Sequence, residues 1–212
     1  MNTQPKKNNL MNVQYLTQLA ILVAVEIVMK LIGLGSVPVG PLYMSFLTVP
    51  IAVGAIVLGP LASTILGGVF GFVSFMDAIK GASIMTSTLL GVSAIHTFIL
   101  CVGMRLLMGF CVGMVSVGMK KACRNTTAGC FVTSLSAPLL NTLFFMGYIV
   151  LAFYHTDYVQ SLVIAKGATN PLMFVVLLTG VQGAVEAIVC SVAGTAIGSS
   201  VLKAMSRMNG HR

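Results

Sequence analysis

The chain has 212 residues, of which 57% are hydrophobic and only 8% are charged, and its mean hydropathy is +1.00. Soluble domains carry about 25% charged residues, so this composition excludes a soluble globular protein and indicates an integral membrane protein with one domain. The net charge of +8 does not indicate nucleic-acid binding, because the basic residues flank apolar runs and are not interleaved with aromatic ones.

The first apolar run predicts a membrane span at residues 13–34, after a basic tail at residues 1–12. The run is too long for a signal peptide and contains Glu26 and Lys30, so we interpret it as a retained span. Their i, i+4 spacing allows the two side chains to satisfy each other on one helix face. We expect that local pair, with a role in gating as the alternative.

An uncharged stretch dense in Gly and Pro follows the first span. Residues 36–44 predict a Pro/Gly loop. The pair Gly59-Pro60 divides the apolar part, because proline lacks the N–H that a continuing helix needs. Two short spans are therefore predicted, at residues 45–58 and 60–75. Short, Gly/Pro-interrupted spans are tolerated where the chain lines a cavity, which favours transport.

The rest of the chain predicts three longer spans, at residues 92–119, 128–154 and 171–202, separated by polar segments at 76–91, 120–127 and 155–170. Each long span exceeds the roughly 20 residues that cross a bilayer, so we expect these helices to tilt or to project beyond it. The prediction is an all-α integral membrane protein with six transmembrane helices. Its membrane domain covers residues 13–202, between tails at 1–12 and 203–212.

Lysine and arginine are distributed unevenly over the predicted loops. Eight lie in the N-terminal tail, the 120–127 loop and the C-terminal tail, and two lie in the loops on the opposite side. By the positive-inside rule both termini are predicted to be cytoplasmic. The Pro/Gly loop and the segments at 76–91 and 155–170 are then external.

Four polar side chains lie at similar depth in the last three spans: Arg105, Asn141, Gln182 and Glu186. At 1.5 Å per residue they fall in roughly one layer beneath the external loops. Charges at this depth usually mark a site, a pathway or an internal pair. We predict a pocket for a small polar solute, over which Tyr43 of the Pro/Gly loop closes.

A structural explanation of the same residues stays open. Arg105 and Glu186 would then neutralise each other, and Asn141 would be an interhelical hydrogen-bonding residue. Tyr43 would be an ordinary interfacial tyrosine.

Small residues recur at four-residue spacing in several spans, which predicts close helix packing. The sets are Ala20 and Ala24, then Ser63, Gly67 and Gly71, then Gly109 and Gly113, and finally Gly194 and Gly198.

Signatures of enzymes are missing from the sequence. It contains no H-E-x-x-H, G-x-S-x-G or Walker-type loop. The three histidines do not have metal-binding spacing, and the five cysteines occur singly. We therefore predict neither an enzyme nor a cofactor or metal site.

Some of these motifs also resemble a known family. They are the stretch TVPIAVGAIVLGP at residues 48–60, GGVFGFVSF at 67–75, Ala20-x-x-x-Ala24, and Leu140-Asn141-Thr142. With them the chain resembles the S component, or substrate-binding subunit, of an energy-coupling factor (ECF) vitamin transporter. The similarity is to the broad branch of pantothenate, folate and hydroxymethylpyrimidine carriers.

The resemblance implies a subunit of the bacterial cell membrane that binds a vitamin from outside. It would dock through Ala20 and Ala24 onto the membrane coupling (T) subunit, which works with two cytoplasmic ATPases. Pantothenate is the expected substrate, because the intramembrane Arg105 suits a carboxylate. The alternatives are a structural membrane protein of the cell-shape machinery with an S-component-like fold, and an autonomous secondary carrier, which would usually show two related halves.

Overall fold

The computed structural model describes residues 13–35, 37–39, 42–123 and 125–210. The helices are α1 (Val13–Leu31), α2 (Thr48–Val57), α3 (Pro60–Ile79), α4 (Ile84–Val92), α5 (Ala94–Phe98), α6 (Met104–Ala122), α7 (Thr126–Phe153), α8 (Asp157–Ala165) and α9 (Pro171–Gly210). Strands β1 (Val37–Val39) and β2 (Leu42–Met44) form an antiparallel hairpin between α1 and α2.

Long apolar helices dominate the described part of the chain. Five are long and apolar enough to cross a membrane: Val13–Leu31, Pro60–Ile79, Ala94–Ala122, Thr126–Phe153 and Pro171–Arg207. The ten-residue α2 is apolar but shorter. The predicted all-α membrane fold is thus confirmed, and α2 is the short helix that the sequence indicated.

The predicted break between the second and third helices lies where the sequence placed it. Gly59 has φ +96°, a backbone conformation that favours glycine, and Pro60 occupies the first turn of α3. However, α3 has 20 residues and continues to Ile79, so the third helix is not short. Ala78 in this extra turn is buried, and the chain changes direction at Gly81, where φ is +73°.

Two segments predicted as external polar loops contain short helices. In α4, Met85 and Leu89 are buried, and in α8, Val159 and Val163 are buried. All four belong to one apolar cluster at that end of the bundle. In each helix the two buried side chains are spaced i, i+4, which places both on the face that packs against the bundle.

The fourth predicted span is not a continuous α-helix. A π-helical stretch, Ile99–Gly103, separates α5 from α6. Such stretches are rare and often occur at functional sites. This one ends two residues before Arg105.

Helices α3 and α6 touch backbone to backbone. A Cβ placed on Gly109 would overlap the carbonyl oxygen of Ser63, and one on Gly67 would overlap the carbonyl oxygen of Arg105. A Cβ on Gly71 would lie 2.6 Å from the carbonyl oxygen of Cys101. The glycine pairs of these two helices therefore act in packing, as the small-residue spacing predicted.

Helix α7 contains a proline that α9 compensates. Pro138 has no N–H, so the carbonyl oxygen of Ser134 lacks its usual partner four residues on. The thiol of Cys190 on α9 donates a hydrogen bond to that oxygen at 3.2 Å. Gly194, one turn further along α9, allows this approach, because a Cβ there would lie 2.5 Å from the Ser134 hydroxyl.

Candidate functional site

A polar cavity of about 100 Å³ lies inside the bundle, near the end that carries the hairpin, α4 and α8. One water takes up about 10–15 Å³ on this scale, so the cavity has room for a small solute. Its charged and amide side chains are Lys30, Asp77, Arg105, Asn141, Gln182 and Glu186. The structure therefore brings together the four residues that depth alone had placed in one layer.

Arg105 is held mainly by apolar contacts. Only 7% of the residue is exposed, and the guanidinium carbon lies 4.3 Å from the ring centroid of Phe70 and 4.8 Å from that of Phe145. One nitrogen, Nη1, donates a hydrogen bond to the Cys101 carbonyl oxygen in the π-helical stretch at 3.2 Å. Cation–π stacking fixes the plane of the group and leaves its N–H edge for polar partners.

Two buried polar atoms in this part of the cavity have no hydrogen-bond partner among the described residues. They are Nε of Arg105 and Oδ1 of Asn141. Leaving such groups unsatisfied costs about 1–3 kcal/mol each. A donor edge and an acceptor oxygen of this kind suit a polar ligand.

Glu186 joins α9 to the hairpin. Its residue exposure is 3%, and Oε1 accepts a hydrogen bond from the backbone N–H of Ser45, just after β2, at 2.7 Å. The side-chain amide of Gln182, one helical turn away, donates to the same oxygen at 3.5 Å. Glu186 thereby positions Ser45, which also lines the cavity.

Tyr43 was predicted to close over the site. Its backbone pairs with Pro38 in the hairpin. Its side chain lies outside the described part of the structure.

The predicted pairing of Glu26 with Lys30 is wrong. Lys30 forms an ion pair with Asp77 on α3, and both side chains line the cavity. Lys30 lies in the last turn of α1, where the end of α3 brings Asp77 within reach. Glu26 is 1% exposed, and neither carboxyl oxygen has a hydrogen-bond partner among the described residues. The sequence signal that was overlooked is a pair of opposite charges near the same ends of two spans.

Ala20 and Ala24 do not line the cavity. Both are exposed on the outer face of α1, whereas Leu19 and Glu26 are buried on its inner face. Apolar side chains such as Ile21 and Val28 are exposed beside the two alanines. This face of α1 is therefore available to lipid or to a protein partner.

A second cavity of about 110 Å³ lies toward the other end of the bundle. The ammonium group of Lys120 reaches the carbonyl oxygen of Ile56 at 2.7 Å, near the C-terminal end of α2. This lysine satisfies a helix end and stabilises the short α2. Among the described residues, no group of three His, Cys, Asp or Glu side chains is placed to hold a metal ion.

Comparison with known proteins identifies the family. The family model for the ECF transporter substrate-specific component matches residues 14–197. A search of curated proteins found no match. The matched region runs from α1 into the last part of α9 and includes every charged and amide residue of the polar cavity. The chain thus belongs to the substrate-specific components of ECF transporters, multi-pass membrane proteins that bind a small molecule for transport with a membrane T component and ATPases and are not enzymes.

Proposed function

We propose that this protein captures a small polar vitamin at the outer face of the bacterial cell membrane for ATP-driven uptake. The observation that carries the proposal is the polar cavity, in which Arg105 and Glu186 share one space without forming an ion pair. Two buried charges that served only to neutralise each other would be expected in direct contact. Their separation around an open volume favours a ligand between them.

The distribution of charge supports loading from outside. The cavity lies near the end of the bundle formed by the hairpin, α4 and α8. The basic residues Lys120, Lys121, Lys203 and Arg207 lie at the ends of α6 and α9 that lead away from it. By the positive-inside rule these ends are cytoplasmic, with both termini, when α2 is counted as the sixth span.

Pantothenate is the proposed substrate. Its carboxylate would accept hydrogen bonds from the Arg105 edge, a pairing that is strong because both groups are charged. Its amide N–H and hydroxyl groups would donate to Asn141 Oδ1 and to Glu186. Gln182, beside Glu186, would contribute a further amide. The cavity thus offers complementary chemistry to both halves of the molecule.

The exposed face of α1 is the proposed contact with the T component. Ala20 and Ala24 are small and lie on one face, which allows another helix to approach closely. Two cytoplasmic ATPases acting through the T component would then supply the energy.

The test is ligand binding by the purified protein in detergent. Pantothenate at about 100 times its Kd should stabilise the fold by about 2.7 kcal/mol and raise the Tm. Panthenol, in which a CH₂OH group replaces the carboxylate, is the matched control and should raise the Tm clearly less at the same concentration.

Mass spectrometry of small molecules that copurify with the protein separates the two levels of the proposal. A different copurifying vitamin would overturn pantothenate but keep the capture function. Failure of every vitamin to bind, with no copurifying molecule, would overturn the capture function itself.

A further inference from the structure

We propose that Lys30 gates the cavity by exchanging between two acidic partners, Asp77 in the arrangement described here and Glu26 when the entrance opens. This inference rests on the proposed function, because it concerns access to the proposed site. It assigns a positioning role to Glu26, which does not line the cavity.

The ion pair between Lys30 and Asp77 ties two helices together at the cavity. Lys30 is in the last turn of α1 and Asp77 in the last turn of α3, and their side chains are 21% and 17% exposed. Gly35, another lining residue, packs directly on this lysine, since a Cβ there would lie 2.9 Å from Lys30 Cδ. The pair therefore fixes α1, α3 and the turn that leads to the hairpin.

Glu26 lies one helical turn from Lys30, on the buried face of α1. Its carboxyl group is within the membrane span, almost fully buried, and has no hydrogen-bond partner among the described residues. Burying such a group unpaired is costly. Its position thus favours any arrangement that brings a cation to it.

The spacing makes the exchange geometrically simple. Residues at i and i+4 on a helix have Cβ atoms about 5–6 Å apart, and Glu followed by Lys is the favourable order. Lys30 has a four-carbon side chain with freely rotating bonds. It can move from Asp77 to Glu26 by side-chain rotation while α1 keeps its backbone conformation.

The exchange would free the entrance without leaving the lysine unpaired. Once Lys30 turns to Glu26, its ion pair with Asp77 no longer connects the ends of α1 and α3, so the two ends can separate. The freed Asp77 stays near the exposed end of α3, where water can solvate it. The charge of Lys30 is therefore paired with an acid both when the gate is closed and when it is open.

The experiment measures entry into the cavity without a vitamin. Thr142 lines the cavity on α7, so a Thr142→Cys variant reports access by its rate of modification with methyl methanethiosulfonate, followed by mass spectrometry. Asp77→Asn should raise this rate at least 10-fold. Asp157→Asn, an exposed acid on α8 outside the cavity, is the matched control and should leave the rate unchanged.

Glu26→Gln provides the decisive comparison. It should lower the rate at least threefold in the presence of Asp77, and should cancel most of the gain in the Asp77→Asn background. In a Lys30→Met background neither substitution should matter. A Glu26→Gln variant that labels like its parent in both backgrounds overturns the gate.

A second substitution at Glu26 separates loss of the gate from a folding defect. Glu26→Leu also removes the acceptor and suits the buried site, so it should reproduce the Glu26→Gln rates. Opposite effects of the two substitutions would likewise overturn the proposal. Because the readout needs no vitamin, failure of the proposed substrate leaves this test intact.

Discussion

Arg105 and Glu186 face the same cavity from α6 and α9, yet no nitrogen of Arg105 lies within 4.0 Å of a carboxyl oxygen of Glu186. Each is fixed by other groups: Arg105 by two phenyl rings and a carbonyl oxygen, and Glu186 by the backbone of Ser45. Neither needs the other to hold its position. The cavity therefore keeps a positive and a negative group apart, and each is available to a ligand.

Replacing Arg105 should weaken pantothenate binding. Arg105→Met removes a charged hydrogen-bond donor, which costs about 1.5–3 kcal/mol, or about 10- to 100-fold in Kd. Arg105→Lys keeps the charge but loses the planar edge stacked on Phe70 and Phe145, so it should restore binding only in part.

Isothermal titration calorimetry measures each Kd. Lys121→Met, which removes an exposed cation at the far end of α6, should bind normally, and equally normal binding by Arg105→Met would exclude a direct role.

A methyl group between α3 and α6 should destabilise the protein. In Gly109→Ala the new Cβ meets the Ser63 carbonyl oxygen, a backbone atom that cannot move alone. Overpacking of this kind costs about 1–3 kcal/mol, which thermal unfolding in detergent would show as a lower Tm. Gly118→Ala is the control on the same helix, because a Cβ there has nothing within 4 Å. Its Tm should stay level or rise, since alanine favours the helix. Equal Tm values for the two variants would contradict the close packing.

Larger side chains on the outer face of α1 should block assembly and spare ligand binding. Ala20→Leu or Ala24→Leu would hold a partner helix away from this face. Copurification with the T component and the ATPases should fall, while Kd for the vitamin stays unchanged in the isolated protein. Ala196→Leu makes the same change at an exposed position on α9 and should assemble normally. Full assembly of both α1 variants would place the docking surface elsewhere.

The sequence was most informative where one residue type decides the local structure. Gly59-Pro60 predicted the turn between α2 and α3, because glycine permits the positive φ and proline starts a helix. The grouping of Arg105, Asn141 and Gln182 followed from depth along rigid helices, since helical rise is nearly constant. Composition alone was sufficient to predict a membrane fold.

Features that depend on contacts between distant segments could not be predicted in this way. Helical spacing suggested Glu26 for Lys30, but the partner is Asp77, 47 residues away in the sequence. Pattern shows which residues share a face of one helix, whereas the position of α3 relative to α1 decides which acid is nearer. The helices α4 and α8 were missed because a nine-residue helix is marginal by itself and forms where the rest of the bundle buries its apolar face.

The hydrogen bond from the Cys190 thiol to the Ser134 carbonyl oxygen also depends on a contact between distant segments, so it could not be predicted from the sequence. The sequence shows that Pro138 removes a backbone hydrogen bond from α7. The folded structure is needed to see that the Cys190 thiol supplies the replacement donor. In the sequence Cys190 is only one of five cysteines that occur singly. Its weak donor group has meaning only opposite the oxygen that proline leaves unpaired.

The glycine contacts between α3 and α6 also limit how the site can be redesigned. Phe70 lies on α3 and Arg105 on α6, and the two helices cannot move apart or slide along each other without breaking their backbone contacts. The cavity wall formed by α3 and α6 is therefore rigid, and any new substrate must present a group that suits a stacked guanidinium. Asn141 lies on α7 and Gln182 on α9, outside this rigid contact. A mutant library intended to change the transported vitamin is best concentrated at these two positions.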